Sequence, residues 1–544
     1  MKEYVHFLKS NWLLIAIITF AIILRFYRLS EIPISLNHDE TAIGYNAYSI
    51  FRTGADEYGK FLPLSLKSFG DWKLPLYPLV DIPFIIIFGL NAVAVRLPSA
   101  IAGASLVYLI YQLSYQFFQK KKLALLASLL MAISPWGIFF SRISYEANLA
   151  TSMLALAAIF FSKYYYQKKS SFFLVPTALL LGLTIFTYHA FVLFAPLFAI
   201  SLALLVLTAK RTEIKKWKYL SLSIMIFFIG LSVYSTLSSG SINKLSSTSL
   251  FDDKHMINER VDIIRGDKAN ESEIGKKVLH NKYTAVAYQI LQNYTLSYSP
   301  TFLFDKGGEK FLHNIGNFGN FYLIDALFLI VGLVAIAYNR EKRIVVLFLW
   351  FVLGPIPSAI TTDAPSSTRL FLMLPAFILV SSYGFYALFI FFTKYSKVGL
   401  LIKIILLISL LTNFIYFLDA YYIHMNYHRA QFFHYGYKEV VELTNKYPNF
   451  KVVMYDPTNF PYISFLFYNR YDPQRFRKEV KYYPSNFGPF YYVKSFGRYN
   501  FVDTIDYEHL EKNTIYIDYR GIRDEDYKII DPSGQPVFKY FFRE

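Results

Sequence analysis

Asp39 and Glu40 stand side by side in the stretch SLNHDETAIGYNAYSI, residues 35–50, directly after a long apolar run. A carboxylate placed just outside a bilayer can take the proton from a hydroxyl as its oxygen attacks, provided it lies within hydrogen-bond reach. The same pair suits a plainer task, because Asp is favoured at a helix N-cap and Glu in the first turn. The two uses are compatible. A second polar group follows in FFSRISYEANLA, residues 139–150, where Arg142 and Glu146 lie at helical spacing. That spacing suits an i,i+4 ion pair, and charges near the end of an apolar run are costly unless used or paired. Lys73 in GDWKLPLY and Arg96 in AVRLPSA are cations that suit a lipid phosphate, with snorkelling the simpler reading. His189, in TYHAF, suits a cavity-facing position, and His424 and His428 stand at i,i+4, a spacing that can bind zinc, with a satisfied or interfacial histidine the favoured reading.

The elements that must position these groups are membrane helices. The chain has 544 residues, 55% apolar and 19% aromatic but only 17% charged, too apolar for an ordinary soluble domain. Apolar runs of about 18–24 residues, each long enough for a ~30 Å hydrocarbon core, recur over the first 420 positions. The first, near 12–29, has no small-residue cleavage site after it and reads as a retained anchor. The net charge of +17 sits in short clusters between apolar runs, as orientation signals, which argues against nucleic acid as a partner. Cysteine is absent, which excludes disulfides and Cys-ligated zinc.

The basic clusters at 120–122, 163–169, 210–218, 340–343 and 394–397 are all expected on the cytoplasmic side. Between them lie spans near 95–117, 123–140, 148–165, 172–187, 190–208, 219–237, 321–338, 344–360, 370–393 and 398–418, about eleven with the first. The run LPLYPLVDIPFIIIFGL, residues 74–90, holds Pro75, Pro78, Pro83 and Asp81, and reads as an interfacial or re-entrant helix of the first outer loop. With that assignment, one outer face collects the loop 30–94, the loop 239–320, the shorter loops near 141–147, 188–189 and 361–369, and the tail. The fold expected is an α-helical polytopic membrane protein over 1–425 with a small extramembrane α/β domain over 426–544. In that domain 451–457 and 513–521 read as strands, 435–448 as an amphipathic helix and DPSGQP, 531–536, as a hairpin turn. The domain offers no Gly-rich phosphate loop, and a structural or acceptor-guiding role is its default reading.

The ordered series NHDE at 37–40, WKLPLY at 72–77, RLPSAIAG at 96–103, a basic turn at 118–122 and SPWGIFFSRISYEANL at 134–149 resembles the lipid-carrier-dependent glycosyltransferases of the GT-C fold. These include protein O-mannosyltransferases and aminoarabinose transferases. The resemblance continues through YSPTFLFDKGG at 298–308 and GPIPSAITTDAPSSTRLFLMLP at 354–375, and covers roughly 10–390. It implies that Asp39 is the catalytic aspartate and Glu40 its acidic neighbour. Lys73 matches the lysine of a K-P-P-L motif that contacts carrier phosphate, although Leu74 replaces the first proline. Glu146 falls where relatives carry an acidic residue, commonly Asp, and Arg369 matches a basic residue that is a candidate phosphate ligand, with Asp363 nearby. Some relatives hold a metal through Glu and His, but here Trp72 stands where their Glu does.

The resemblance therefore implies transfer of a sugar from a polyprenyl-phosphate carrier to an acceptor lipid, protein or glycan on the outer membrane face, with inversion. Asp39 acts as general base or holds the acceptor, with Glu40 its acidic neighbour and Glu146 orienting the acceptor or supporting Asp39. Lys73 and Arg369, with Arg142, neutralise the departing phosphate, and Arg96, His189 and Asp363 complete the substrate-binding set. No cofactor is required by this scheme, and a divalent metal is a secondary option. The expected setting is the plasma membrane, with the N-terminus cytoplasmic, the C-terminal domain outside and membrane lipids as partners. A transporter or flippase of lipid-linked sugars is the alternative, disfavoured because the polar residues gather at one rim and not at the bilayer midplane. A non-catalytic scaffold would tolerate loss of Asp39 and Lys73.

Overall fold

The computed structural model describes residues 2–69, 71–208, 215–239, 249–250, 259, 261–263, 265–266, 272–316, 318–455, 457–484, 487, 490–519 and 527–543. Helix dominates up to residue 433, as the long apolar runs require where no water is available to satisfy the backbone. Among the described residues, five helices are long and apolar enough to cross a membrane: Ala92–Phe118, Ala190–Thr208, Lys216–Ser238, Ser367–Lys394 and Ser396–Phe433. A sixth candidate, Lys121–Ile133 with Pro135–Ser141, is bent by 57°. Helices also cover the other expected spans: Asn11–Phe26, Ser171–Ile185, Leu323–Tyr338 and Val345–Ala359 are shorter and apolar, and Glu146–Tyr165 covers the span near 148–165.

Helix Leu76–Phe88 has 13 residues, contains Pro83 and stops at Gly89. At 1.5 Å per residue it rises only about 20 Å, short of the ~30 Å hydrocarbon core. Helices expected as spans, such as Leu323–Tyr338 with 16 residues, also fall short of that core, so length alone does not set Leu76–Phe88 apart. The expected helical spacing of Arg142 and Glu146 is interrupted: helix Pro135–Ser141 ends before Arg142 and the next helix begins at Glu146. The two side chains do not share one helix face.

By compactness the chain forms two units, and neither follows a single cut in the sequence. One comprises Met1–Leu24, Ala102–Phe139 and Tyr145–Phe417. Within it, helices Leu323–Tyr338 and Leu374–Phe391 approach backbone to backbone, since a Cβ on Gly384 would lie 1.9 Å from the Phe328 carbonyl oxygen. Small residues at such crossings are how apolar helices pack in lipid.

The other unit comprises Arg25–Ile101, Phe140–Ser144 and Leu418–Glu544, so the first outer loop and the C-terminal segment build one body. Its loop part holds helix His38–Thr53, closed by Gly54 in the left-handed region, and the antiparallel hairpin β1 (Leu66–Ser68) and β2 (Asp71–Lys73). The C-terminal part contributes strands β3 (Lys451–Tyr455), β4 (Lys481–Tyr482), β5 (Val493–Phe496), β6 (Tyr499–Val502), β7 (Thr514–Asp518), β8 (Tyr527–Ile530) and β9 (Pro536–Arg543). They form one sheet in the order β4-β5-β6-β3-β7-β9-β8, with β3 parallel to both β6 and β7 and the remaining pairs antiparallel. All five residues of the interior strand β7 are buried. Helix Tyr437–Asn445, β3, β7 and the turn between β8 and β9 lie where the sequence placed them.

Helix Pro461–Tyr468 joins the two parts, burying Pro461 through Phe467. The contact is tight, because a Cβ on Gly44 would meet the Phe467 ring and Val95 at 2.6 Å. A second tie runs from the Tyr491 backbone N–H to the Phe69 carbonyl at the hairpin turn, 2.9 Å.

Candidate active site

The acidic pair divides its labour. Asn37 is the N-cap of helix His38–Thr53, accepting from the Glu40 backbone N–H at 2.9 Å, and Glu40 Oε2 accepts from the Asn37 N–H at 3.2 Å. This reciprocal capping box satisfies two otherwise orphaned donors. Capping thus falls to Asn37 and Glu40, and Asp39 projects outward with 65% of its side chain exposed, ion-paired to Lys73. Lys73, at the end of β2 in register with Leu66, is only 9% exposed along its side chain. A nearly buried ammonium beside an accessible carboxylate is a preformed electrostatic pair, and charges act more strongly there than in bulk water.

Behind this pair lies a fully buried frame. Arg96 Nε donates to Glu40 Oε1 at 2.9 Å and Nη2 to Oε2 at 3.1 Å. Its remaining donors go to the carbonyls of Leu29, Pro33 and Ser35 at 2.9, 2.9 and 2.6 Å. All five guanidinium N–H groups are therefore used. The Ser144 N–H adds a bond to Glu40 Oε1 at 3.2 Å. Arg142, also buried, donates to the carbonyls of Arg25, Tyr27 and Ile32 at 3.0, 2.6 and 3.0 Å, with Arg28 at 3.3 Å, and packs over the rings of Tyr421 and Tyr422. Glu40, Arg96 and Arg142, read from sequence as catalytic or substrate-binding, are engaged inside the protein, where they fix the chain that carries Asp39.

A further polar cluster in this unit had no signal in the sequence. Glu57 is buried, accepting from Tyr462 Oη at 2.9 Å and Asn46 Nδ2 at 3.0 Å. Burial pushes its carboxyl up to about 8, against those two hydrogen bonds. Tyr462 comes from the helix at 461–468, some 400 residues away in sequence, so local pattern could not disclose it.

In the other unit, Asp363 is ion-paired to Arg369 and, at 2.8 Å, to Lys310. Burial works to raise its carboxyl, but the two cations prevail and hold it below the usual range. Lys310 was not foreseen. Tyr188, next to His189 at the turn before helix Ala190–Thr208, shares the electrostatic neighbourhood of Arg369, Glu146 and Asp363. Burial pushes its phenol up to about 12, with Arg369 opposing. Glu146 opens its helix at the first position. His424 and His428 have ring centroids 6.0 Å apart, and His424 lies 3.5 Å from Asp419. Among the described residues, no group of three or more His, Cys, Asp or Glu is arranged to hold a metal.

The structure of ArnT from Cupriavidus metallidurans bound to undecaprenyl phosphate superposes with a TM-score of 0.55 at 11% identity, over 98% of both chains. The chain has the GT-C fold. The archaeal oligosaccharyltransferase AglB from Archaeoglobus fulgidus, in complex with an inhibitory peptide and a dolichol-phosphate, shares this GT-C likeness with a TM-score of 0.51 at 13% identity. That match covers 85% of this chain and 64% of AglB, so the chain spans less than two thirds of the archaeal protein. The family described as dolichyl-phosphate-mannose-protein mannosyltransferase matches residues 75–234. No curated protein matches the sequence. A GT-C fold built on these apolar helices makes the chain a multi-pass membrane protein.

Proposed function

We propose that the protein is an inverting glycosyltransferase that moves a sugar, hexose or pentose, from a polyprenyl-phosphate carrier to an acceptor hydroxyl or amine outside the cytoplasm. The observation that carries this reading is the exposed Asp39 carboxylate paired to the nearly buried Lys73 ammonium, on a GT-C fold. The acceptor oxygen or nitrogen attacks the anomeric carbon and its proton passes to Asp39. The bond from that carbon to the phosphate oxygen breaks, and the electron pair leaves with the phosphate. Lys73 then exchanges Asp39 for the leaving phosphate, whose growing charge it stabilises.

Glu40, Arg96 and Arg142 hold the geometry and do not touch substrate. In the other unit, Arg369 and Lys310, bridged by Asp363, are cations of a kind suited to an anionic group. The scheme needs no nucleotide and routes no step through a metal.

The test is turnover of polyprenyl-phosphate sugars by purified protein in detergent, where a transporter would leave its substrate chemically unchanged. Asp39→Asn is expected to stay folded and lose nearly all transfer; near-normal transfer by that variant would retire the mechanism. Mass spectrometry of lipid-linked sugars and surface glycans after deletion of the gene identifies sugar and acceptor.

A further inference from the structure

Two histidines 396 positions apart meet directly behind Asp39. The His38 and His434 rings stack with centroids 3.6 Å apart and planes inclined by 12°. The His38 backbone N–H donates to His434 Nδ1 at 3.2 Å. This N–H is one of the donors in the first helical turn that helix geometry leaves without an intrahelical partner. The capping box serves Asn37 and Glu40, so the residue immediately before Asp39 is anchored by His434 instead. His434 sits in the left-handed region with φ 52°, at the end of the short turn Ala430–Phe433, and that backbone turn aims its ring back at the helix start.

The stack is walled by aromatic rings. Tyr437 and Phe460 meet the His38 ring edge-on at 5.6 and 6.1 Å, and Phe69 lies at 6.3 Å. Burial holds His434 down at about 4, and burial with its neighbour His434 holds His38 well below the usual histidine range. Both rings are thus neutral near pH 7, and a neutral His434 has Nδ1 available as an acceptor.

We propose that His434 is a positioning residue for the transfer reaction: by holding the His38 N–H it fixes the helix turn from which the Asp39 carboxylate reaches the acceptor. The inference rests on Asp39 being the base. It gives the C-terminal segment a part in catalysis, since removing the anchor frees the first turn at the reacting group. Misplacement by about 1 Å is enough to cost on the order of 100-fold in rate.

The experiment compares His434→Phe, which keeps a ring in the stack but removes the acceptor, with His434→Asn, whose side-chain oxygen restores an acceptor, and His434→Ala. All are measured as the full chain in detergent, with undecaprenyl phosphate as the binding probe and a polyprenyl-phosphate sugar turned over by the wild type as substrate. The expected result is a drop in kcat of about 10- to 100-fold for Phe and Ala, substantial recovery in Asn, and unchanged KM and undecaprenyl-phosphate binding. Full kcat in His434→Phe, or a loss confined to KM, overturns the proposal. Should the Phe variant not be recovered folded, equal kcat in Asn and Ala overturns it. Asp39→Asn separates the two readings: an active Asp39→Asn removes the base assignment itself, whereas an inactive Asp39→Asn beside an unaffected His434→Phe removes only the anchor.

Discussion

Arg96 grips both carboxylate oxygens of Glu40, with the guanidinium fully buried and the carboxylate 1% exposed. Removing one partner strands a charge that has no water to turn to. Glu40→Gln is therefore expected to destabilise the protein by about 3–5 kcal/mol, and adding Arg96→Met should deepen the loss, because the carbonyls of Leu29, Pro33 and Ser35 then lose their donor. Thermal unfolding in detergent reads both. Equal melting temperatures for Glu40→Gln and wild type would show that the pair carries no such weight.

Lys73 should separate from this frame by its effect on rate. Lys73→Ala is expected to lower kcat by about 100- to 1000-fold, the range for loss of one charge-stabilising donor, with little change in melting temperature. Lys73→Arg keeps the charge but not the compact ammonium, and should retain intermediate activity. Steady-state kinetics on the two variants, with melting curves alongside, checks the assignment.

Glu57 predicts a pH dependence of stability. Its carboxyl titrates at about 8 when folded and near 4.5 when unfolded, so the folded chain binds the extra proton between those values. The resulting stabilisation is fully present below about pH 4.5 and is lost as pH rises through about 8, amounting to at most about 5 kcal/mol. Melting temperatures at pH 5 and pH 9 should therefore fall more steeply in wild type than in Glu57→Gln. Parallel slopes in the two proteins would contradict the assignment.

Gly44 marks a tight seam on the helix that carries Asp39. A Cβ there would press on Phe467 and Val95 at 2.6 Å. Gly44→Val is expected to cost about 1–3 kcal/mol through overpacking and to reduce transfer by shifting helix His38–Thr53, while Ser49→Ala, on the same helix, should lose far less transfer. Melting curves and turnover on the two variants provide the comparison.

Much of the architecture was legible in the sequence because membrane helices announce themselves by length and hydropathy, and each expected span is covered by helix, those near 123–140 and 344–360 by two helices each. A helix at 76–88 was readable from its apolar run, and its prolines and Asp81 set it apart from the other runs. The site was readable only in part. Asp39 and Lys73 stand out as motif residues and are paired, but sequence alone could not divide labour between neighbours: Asn37 and Glu40 share the capping box, and Glu40 also binds Arg96. The regular spacing of Arg142 and Glu146 suggested a shared helix face, and the break after Ser141 removes it. His434, Tyr462 and Lys310 were illegible because their roles depend on partners brought together by tertiary packing.

The bond from the Tyr491 N–H to the Phe69 carbonyl bears on protein engineering. It fastens the hairpin whose second strand ends in Lys73 to the terminal sheet. The terminal segment is consequently not an interchangeable cassette: a chimera that grafts in a foreign tail would need to reproduce this backbone latch before its donor lysine could be expected in register.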